Sequence, residues 1–207
     1  MGGSPVEDPL SLQPHPPGLT LIETLLWDGT AFPRLPLHLH RLTTSAARLG
    51  WPAPRVSFPA LPAIPLRVRL TLDADGQTDV TTAPLPPAKP QWRVALHPTR
   101  LASCDPWLGV KSTQRALYDT ARASLRQGID EWLFANERAE LCEGTITNIF
   151  FDRGRGLRTP PLTCGLLPGV LRAELAVPEE ILPLADLPHV RLWLGNALRG
   201  LIPAQVA

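Results

Sequence analysis

Lysine is almost missing from this chain. Of its 20 basic residues only Lys89 and Lys111 are lysines; the other eighteen are arginines. As solvated surface charges the two types are near equivalents. A lysine kept in such a background therefore points to chemistry a guanidinium cannot do, most clearly loss of a proton and attack on a carbonyl. Cysteine is scarce as well. Cys104, Cys142 and Cys164 are odd in number and form no CxxC pair, which argues against a disulfide framework or a zinc site and suits a reducing, cytoplasmic setting. No stretch approaches the ~18 consecutive apolar residues of a membrane span. Residues 1–18, MGGSPVEDPLSLQPHPPG, hold neither a basic nor an apolar signal region, so they read as a loose, proline-rich lead-in. A net charge of +1 offers no basic field for nucleic acid. No internal repeat is visible.

Proline, by contrast, is abundant at 25 residues in 207. It clusters between Pro52 and Pro65 and again between Pro84 and Pro90, where neither a helix nor a central strand can continue. The second cluster marks a boundary between a small N-terminal α+β domain (19–86) and a C-terminal domain (87–207). In the first, the aliphatic run 19–27 predicts a strand, Asp28-Gly29 a turn, and 31–35 a returning hairpin strand. Pro36 suits the first turn of a helix whose buried stripe is Leu39, Leu42, Ala46 and Leu49, with Gly50 as its cap. Alternation over 66–72 predicts a half-buried strand, paired with 78–83 across the turn at Asp73–Gly76. In the second domain the pattern predicts a strand over 92–96 and a helix over 112–127 closed by Gly128. A strand over 131–135 and one over 143–152 follow. A glycine-proline turn then leads into a helix within 165–176, and a last strand spans 191–194. The sum is a mixed α+β fold of two sheet-containing halves with a cleft between them.

Several separated elements of the second half make chemical sense together. Lys111 stands ahead of a helix, and Glu143 opens EGTITNIFF. Gly165-Leu166-Leu167-Pro168-Gly169-Val170-Leu171-Arg172 follows, and the chain closes on Asn196-Ala197-Leu198-Arg199-Gly200. In this order the motifs resemble the class IV aminotransferases, the fold-type IV pyridoxal phosphate enzymes, from about Leu19 to the C-terminus. His38-Leu39-His40-Arg41-Leu42 is similar to that family's H-x-x-R-L helix. The resemblance implies pyridoxal 5'-phosphate as cofactor, with Lys111 forming a Schiff base with its aldehyde and moving a proton at the substrate carbon. It implies Glu143 against the ring nitrogen. Arg41, the backbone amides of Val170 and Leu171, and Asn196 would hold the phosphate. Ala197 and Leu198 amides would face a substrate carboxylate, and Arg199 would bind the substrate ring carboxylate or the leaving pyruvate, or serve as a salt-bridged surface group. No metal is implied.

The chain departs from the family pattern in two places. Members commonly carry a Tyr five residues after the lysine, where this chain has Ala116. Tyr118, taken as two helical turns beyond Lys111, either replaces that tyrosine or simply packs. The N-terminal domain is also shortened, keeping only Ile22-Glu23-Thr24-Leu25 of its leading motif. Among members, the runs Lys111-Ser112-Thr113, Thr159-Pro160-Pro161-Leu162 and 196–200 look most like aminodeoxychorismate lyases. These enzymes convert 4-amino-4-deoxychorismate to 4-aminobenzoate and pyruvate, a step toward folate, and also occur fused to aminodeoxychorismate synthase. A homodimer is the expected assembly. Two alternatives stand beside the lyase: an aminotransferase for a small D- or branched-chain amino acid, and a cofactor-binding remnant without turnover.

Overall fold

The computed structural model describes residues 10–207. Three strands, β1 (Leu21–Trp27), β2 (Leu66–Leu72) and β3 (Thr78–Pro84), form an antiparallel sheet with β2 in the centre, and helix α1 (Leu35–Arg48) lies between β1 and β2 in the chain. The remaining strands are β4 (Trp92–Leu101), β5 (Glu131–Asn136), β6 (Leu141–Gly144), β7 (Asn148–Asp152), β8 (Arg191–Asn196) and β9 (Gly200–Val206). They close into a six-stranded barrel in sequence order. Helix α2 (Ala116–Ala123) joins β4 to β5, and α3 (Val170–Leu175) lies between β7 and β8.

Helix α1 forms as its sequence requires: proline opens it, and Gly50 takes a left-handed φ of +71° just past its end. Leu42, Ala46 and Leu49 are buried, and Leu39 is half-buried. Leu42, Ala46 and Leu49 meet Leu21, Leu25, Val68, Leu70 and Leu72 from the sheet in one core. In β5 alternate residues serve two cores. Leu133 packs with Val94, Ile149 and Leu194, while Trp132 and Phe134 pack with Ala121, Cys142 and Cys164. A strand buried on both faces reads as a continuous apolar run.

Five expectations need correction. The hairpin of 19–27 with 31–35 does not form. The Asp28 carboxylate accepts N–H groups of Thr30 and Ala31, Pro33 has no N–H to donate, and Leu35 already belongs to α1. β1 instead pairs with β2 over seven residues, from Leu21 opposite Leu72 to Trp27 opposite Leu66. The helix expected over 112–127 spans only Ala116–Ala123, because residues 111–113 run alongside β1. The strand expected over 143–152 is broken into β6 and β7 by a tight turn in which the Gly144 N–H donates to Thr147 O at 2.8 Å. The strand at 191–194 is not the last. β9 follows despite Pro203, and it closes the barrel by pairing with β4, Trp92 opposite Ala204. Finally, the lead-in is anchored at two points, although residues 11–14 and 16–18 are exposed. Leu10 is fully buried and His15 sits edge-on to Trp51, whereas residues 1–9 of the expected lead-in lie outside the described residues.

Leu133 is fully buried in the barrel core, so Leu133→Ala should cost about 2–5 kcal/mol of unfolding free energy. Leu162, 44% exposed, should tolerate alanine within about 0.5 kcal/mol. Urea midpoints of the two variants check this contrast.

Candidate active site

A cavity of about 480 Å³ opens between the outward face of the three-stranded sheet and the barrel. Ile22 and Thr24 of β1, Lys111, Glu143 at the end of β6, Gly169 before α3, and Asn196 at the end of β8 all reach it. Of the residues singled out from the sequence, Lys111, Arg41, Glu143, Tyr118, Val170, Asn196, Ala197, Leu198 and Arg199 line this one space, although they span 159 positions of chain (41 to 199). Leu171 does not. Its side chain is buried, and any side chain at position 195 would strike its Cδ2. Lys89, the other lysine, is exposed and ion-paired to Asp130, away from the cavity.

Lys111 is held by its backbone. The Ile22 N–H donates to Lys111 O at 2.8 Å, and the Thr113 N–H to Thr20 O at 2.9 Å, so the lysine is carried on a short extended segment beside β1. Among the described residues its Nζ makes no hydrogen bond or ion pair. Burial pushes the amine down to about 8, helped by the positive charges of Arg41 and Arg115 and opposed by Glu23 and Glu143. A substantial neutral fraction near pH 8 is what a nucleophilic or proton-accepting lysine needs.

Glu143 is buried, with one oxygen accepting the Tyr118 hydroxyl at 2.6 Å and the other the Leu167 N–H at 3.1 Å. Burial raises its carboxyl to about 7, against the lowering influence of those hydrogen bonds and of Lys111 and Arg115. Burial and the Glu143 charge together hold the Tyr118 hydroxyl well above its ordinary range, so it acts as a donor. Because α2 starts at Ala116, the two-turn helical relation between Lys111 and Tyr118 does not exist. Tyr118 instead reaches Glu143 across the top of the barrel, with its ring edge-on to Phe134.

The opposite end of the cavity is built around a residue that the sequence reading named only within a leading motif and gave no role in the site. Glu23, on β1, is 1% exposed. Its Oε1 accepts Arg41 Nε at 2.8 Å, and its Oε2 accepts Arg41 Nη2 and His38 Nδ1, each at 2.6 Å. Burial alone would raise this carboxyl, but Arg41 and His38 hold it below the usual carboxylate range. The guanidinium so gripped turns its Nη1 to Pro168 O, 3.3 Å away, at the turn entering α3. The first-turn amides of α3 have no intrahelical acceptor. Only glycine fits at 169, because a Cβ there would stand 1.8 Å from Asn148 Oδ1. Elsewhere in the lining, the buried Thr147 hydroxyl has no partner among the described residues. Nothing in the spacing of Glu23 marked it; only its burial beside α1 does.

On the far wall, Asn196 organises the closing loop. Its Oδ1 accepts the Leu198 and Arg199 N–H groups at 3.1 and 3.0 Å, and its Nδ2 donates to Ile146 O at 3.1 Å. The Leu198 amide is therefore directed to Asn196, and the Ala197 carbonyl accepts Arg34 Nη1 at 3.0 Å. Among the described residues no cluster of side chains could hold a metal ion.

The titration of Lys111 carries a stability signature. Its ammonium loses the proton at about 8 in the folded chain and at 10.5 when unperturbed. Between those values the unfolded state binds more protons, so unfolding free energy gains from this group as pH rises from about 8 toward 10. Lys111→Met should remove that gain, and urea midpoints of the two proteins at pH 8 and pH 10 measure it.

The class IV amino-transferase family model matches residues 20–206. A Schizosaccharomyces pombe protein provisionally named aminodeoxychorismate lyase is 31% identical over 170 residues, covering 75% of this chain and 72% of that protein. A solved structure from Mesorhizobium loti, provisionally named an amino-acid aminotransferase, is 42% identical. It superposes with a TM-score of 0.82 over 91% of this chain and 100% of the other. A hypothetical aminotransferase from Mycobacterium tuberculosis, in its alpha-ketoglutarate and PMP bound form, shares the fold at 21% identity. Its TM-score is 0.76, with 90% of this chain and 80% of that one covered. The chain belongs to the class IV amino-transferase family, and its sheet and barrel are the fold-type IV architecture of that family.

Proposed function

We propose that this chain is a pyridoxal-phosphate-dependent lyase that converts 4-amino-4-deoxychorismate to 4-aminobenzoate and pyruvate. The observation that carries the reading is the meeting, in one cavity, of an amine that titrates at about 8, Lys111, with a buried carboxyl, Glu143, and a clamped arginine, Arg41. The residues fit the cofactor. The cavity falls within the range of about 300–1,000 Å³ usual for small-molecule sites. Arg41, Gly169 and Thr147, whose buried hydroxyl has no partner among the described residues, line it together. The likeness to the Schizosaccharomyces pombe protein favours the lyase reaction.

Bound there, pyridoxal phosphate supplies an aldehyde that captures the substrate amine and a ring that takes up an electron pair. The chain's own residues do the rest. Arg41, oriented by Glu23, and the first-turn amides of α3 hold the phosphate. Glu143, itself oriented by Tyr118, keeps a proton at the ring nitrogen. Lys111 takes the proton from the amine-bearing carbon of the substrate. The C–O bond to the enolpyruvyl group then breaks, its electron pair leaves with the oxygen, and the carbocycle becomes aromatic. A proton returned to the terminal carbon of the enol gives pyruvate. We place the enzyme in the cytoplasm, as a homodimer, downstream of aminodeoxychorismate synthase.

A second reading, an aminotransferase for a small D- or branched-chain amino acid, is favoured by the 42% likeness to the Mesorhizobium loti structure. The same lysine would then return a proton to the cofactor carbon. The test supplies 4-amino-4-deoxychorismate and follows 4-aminobenzoate, beside a panel of D- and L-amino acids with a keto acid. Lys111→Ala should lower turnover at least about a hundredfold. Glu143→Ala should keep the cofactor absorbance while lowering kcat. Amino transfer without 4-aminobenzoate would install the second reading, and cofactor binding with neither product would mark a binding remnant.

A further inference from the structure

The central strand of the small sheet carries two arginines side by side on its outward face. Arg67 and Arg69 alternate with the buried Leu66, Val68 and Leu70, are exposed, and both line the cavity. Their Cα atoms lie about 7 Å apart. Their cross-strand neighbours, Leu26 and Thr24 on β1 and Ala83 and Thr81 on β3, bring no negative charge. Three other arginines of the cavity are compensated. Arg41 is bound to Glu23, Arg115 to Asp119, and Arg122 stands 3.6 Å from Glu131. Among the described residues neither Arg67 nor Arg69 has an ion pair.

A third guanidinium faces the same mouth from the barrel side. Arg199 is fixed over the Trp92 ring, 5.4 Å from its centroid, and donates to Pro87 O at 3.2 Å; no carboxylate pairs with it among the described residues. Burial, and then the charges of Arg122 and Arg67, push its proton affinity down, so Arg199 and Arg67 feel each other's field. Like charges brought together without counter-charge repel, unless an anion joins them. Arginine forks suit carboxylates because each can bind both oxygens.

We infer that Arg67 and Arg69, facing Arg199 across the mouth of the cavity, form an anion subsite that selects substrates carrying a second carboxylate, remote from the amine that reacts at Lys111. The substrate class is a dicarboxylate amine rather than an apolar monocarboxylate. The inference rests on the reading of the cavity as the substrate pocket of a pyridoxal phosphate enzyme. Arg67 and Arg69 are specificity residues at the rim, and the chemical step does not need them.

Calorimetry on the full chain loaded with pyridoxal phosphate tests this directly, with glutarate and butyrate as probes. Wild type should bind glutarate at least about tenfold more tightly than butyrate, a preference that weakens with salt. Arg67→Ala/Arg69→Ala should raise the glutarate Kd about tenfold and leave butyrate within about twofold, and Arg67→Lys/Arg69→Lys should restore part of the difference. Equal weakening of both probes, or unchanged glutarate binding in a folded double variant, overturns the subsite. A changed oligomeric state with unchanged glutarate affinity also overturns it and makes these arginines subunit contacts. The lyase assay separates the two claims. Normal 4-aminobenzoate formation with an unchanged KM in the double variant removes the subsite and keeps the lyase. Glutarate discrimination that is lost in the double variant, in a protein that makes no 4-aminobenzoate, keeps the subsite and removes the lyase.

Discussion

The site depends on a short backbone pairing between the Lys111 segment and β1. Ile22 donates to the Lys111 carbonyl, Thr113 to the Thr20 carbonyl, and the Thr20 N–H to the Thr113 hydroxyl at 3.0 Å. This pairing ties the link between β4 and α2 to the edge of the small sheet. β1 then presents Glu23 to α1 on one face, and Ile22 and Thr24 to the cavity on the other. One strand therefore sets the lysine, the arginine clamp and a wall of the cavity in a common frame.

Within that frame two buried glutamates take opposite electrostatic roles. Glu23 meets a guanidinium and an imidazole and is held as a carboxylate. Glu143 meets a phenol, one amide and more distant cations, and its proton affinity rises. Desolvation acts on both in the same direction, and the difference lies in how closely positive charge approaches. Breaking the Glu23–Arg41 pair on one side would leave a buried charge uncompensated, a loss of about 3–5 kcal/mol. The clamp thus holds Arg41 toward the α3 turn while it also stabilises the packing of α1 on the sheet.

Much of the secondary structure was legible because it rests on local rules. Proline at the start of α1 and glycine after its end bracket a helix whose stripe is visible at i, i+3, i+4. The alternation of Leu66–Leu72 declares a half-buried strand. Three of the misread elements share one cause, which is that non-local pairing overrode the local pattern. Residues 112 and 113 are not helical because they are claimed by β1, and Gln114 and Arg115 turn back onto Ser112 and Thr113. Residues 31–35 lost the hairpin because β2 offers β1 a longer ladder. β9 forms around a proline because closing the barrel needs a partner for β4.

The sequence by itself determined the family and picked out residues that line one cavity: a rare lysine, an acid ahead of a strand, and a glycine-proline turn before a helix. These are chemical identities at fixed order along the chain, and order along a chain is what a sequence records. Tertiary structure alone decided that Glu23 clamps Arg41, that Tyr118 serves Glu143, and that Arg67 and Arg69 face Arg199 unpaired. Each of these depends on which distant groups share a desolvated space. Proton affinity and charge balance follow from that sharing rather than from any residue's neighbours in sequence.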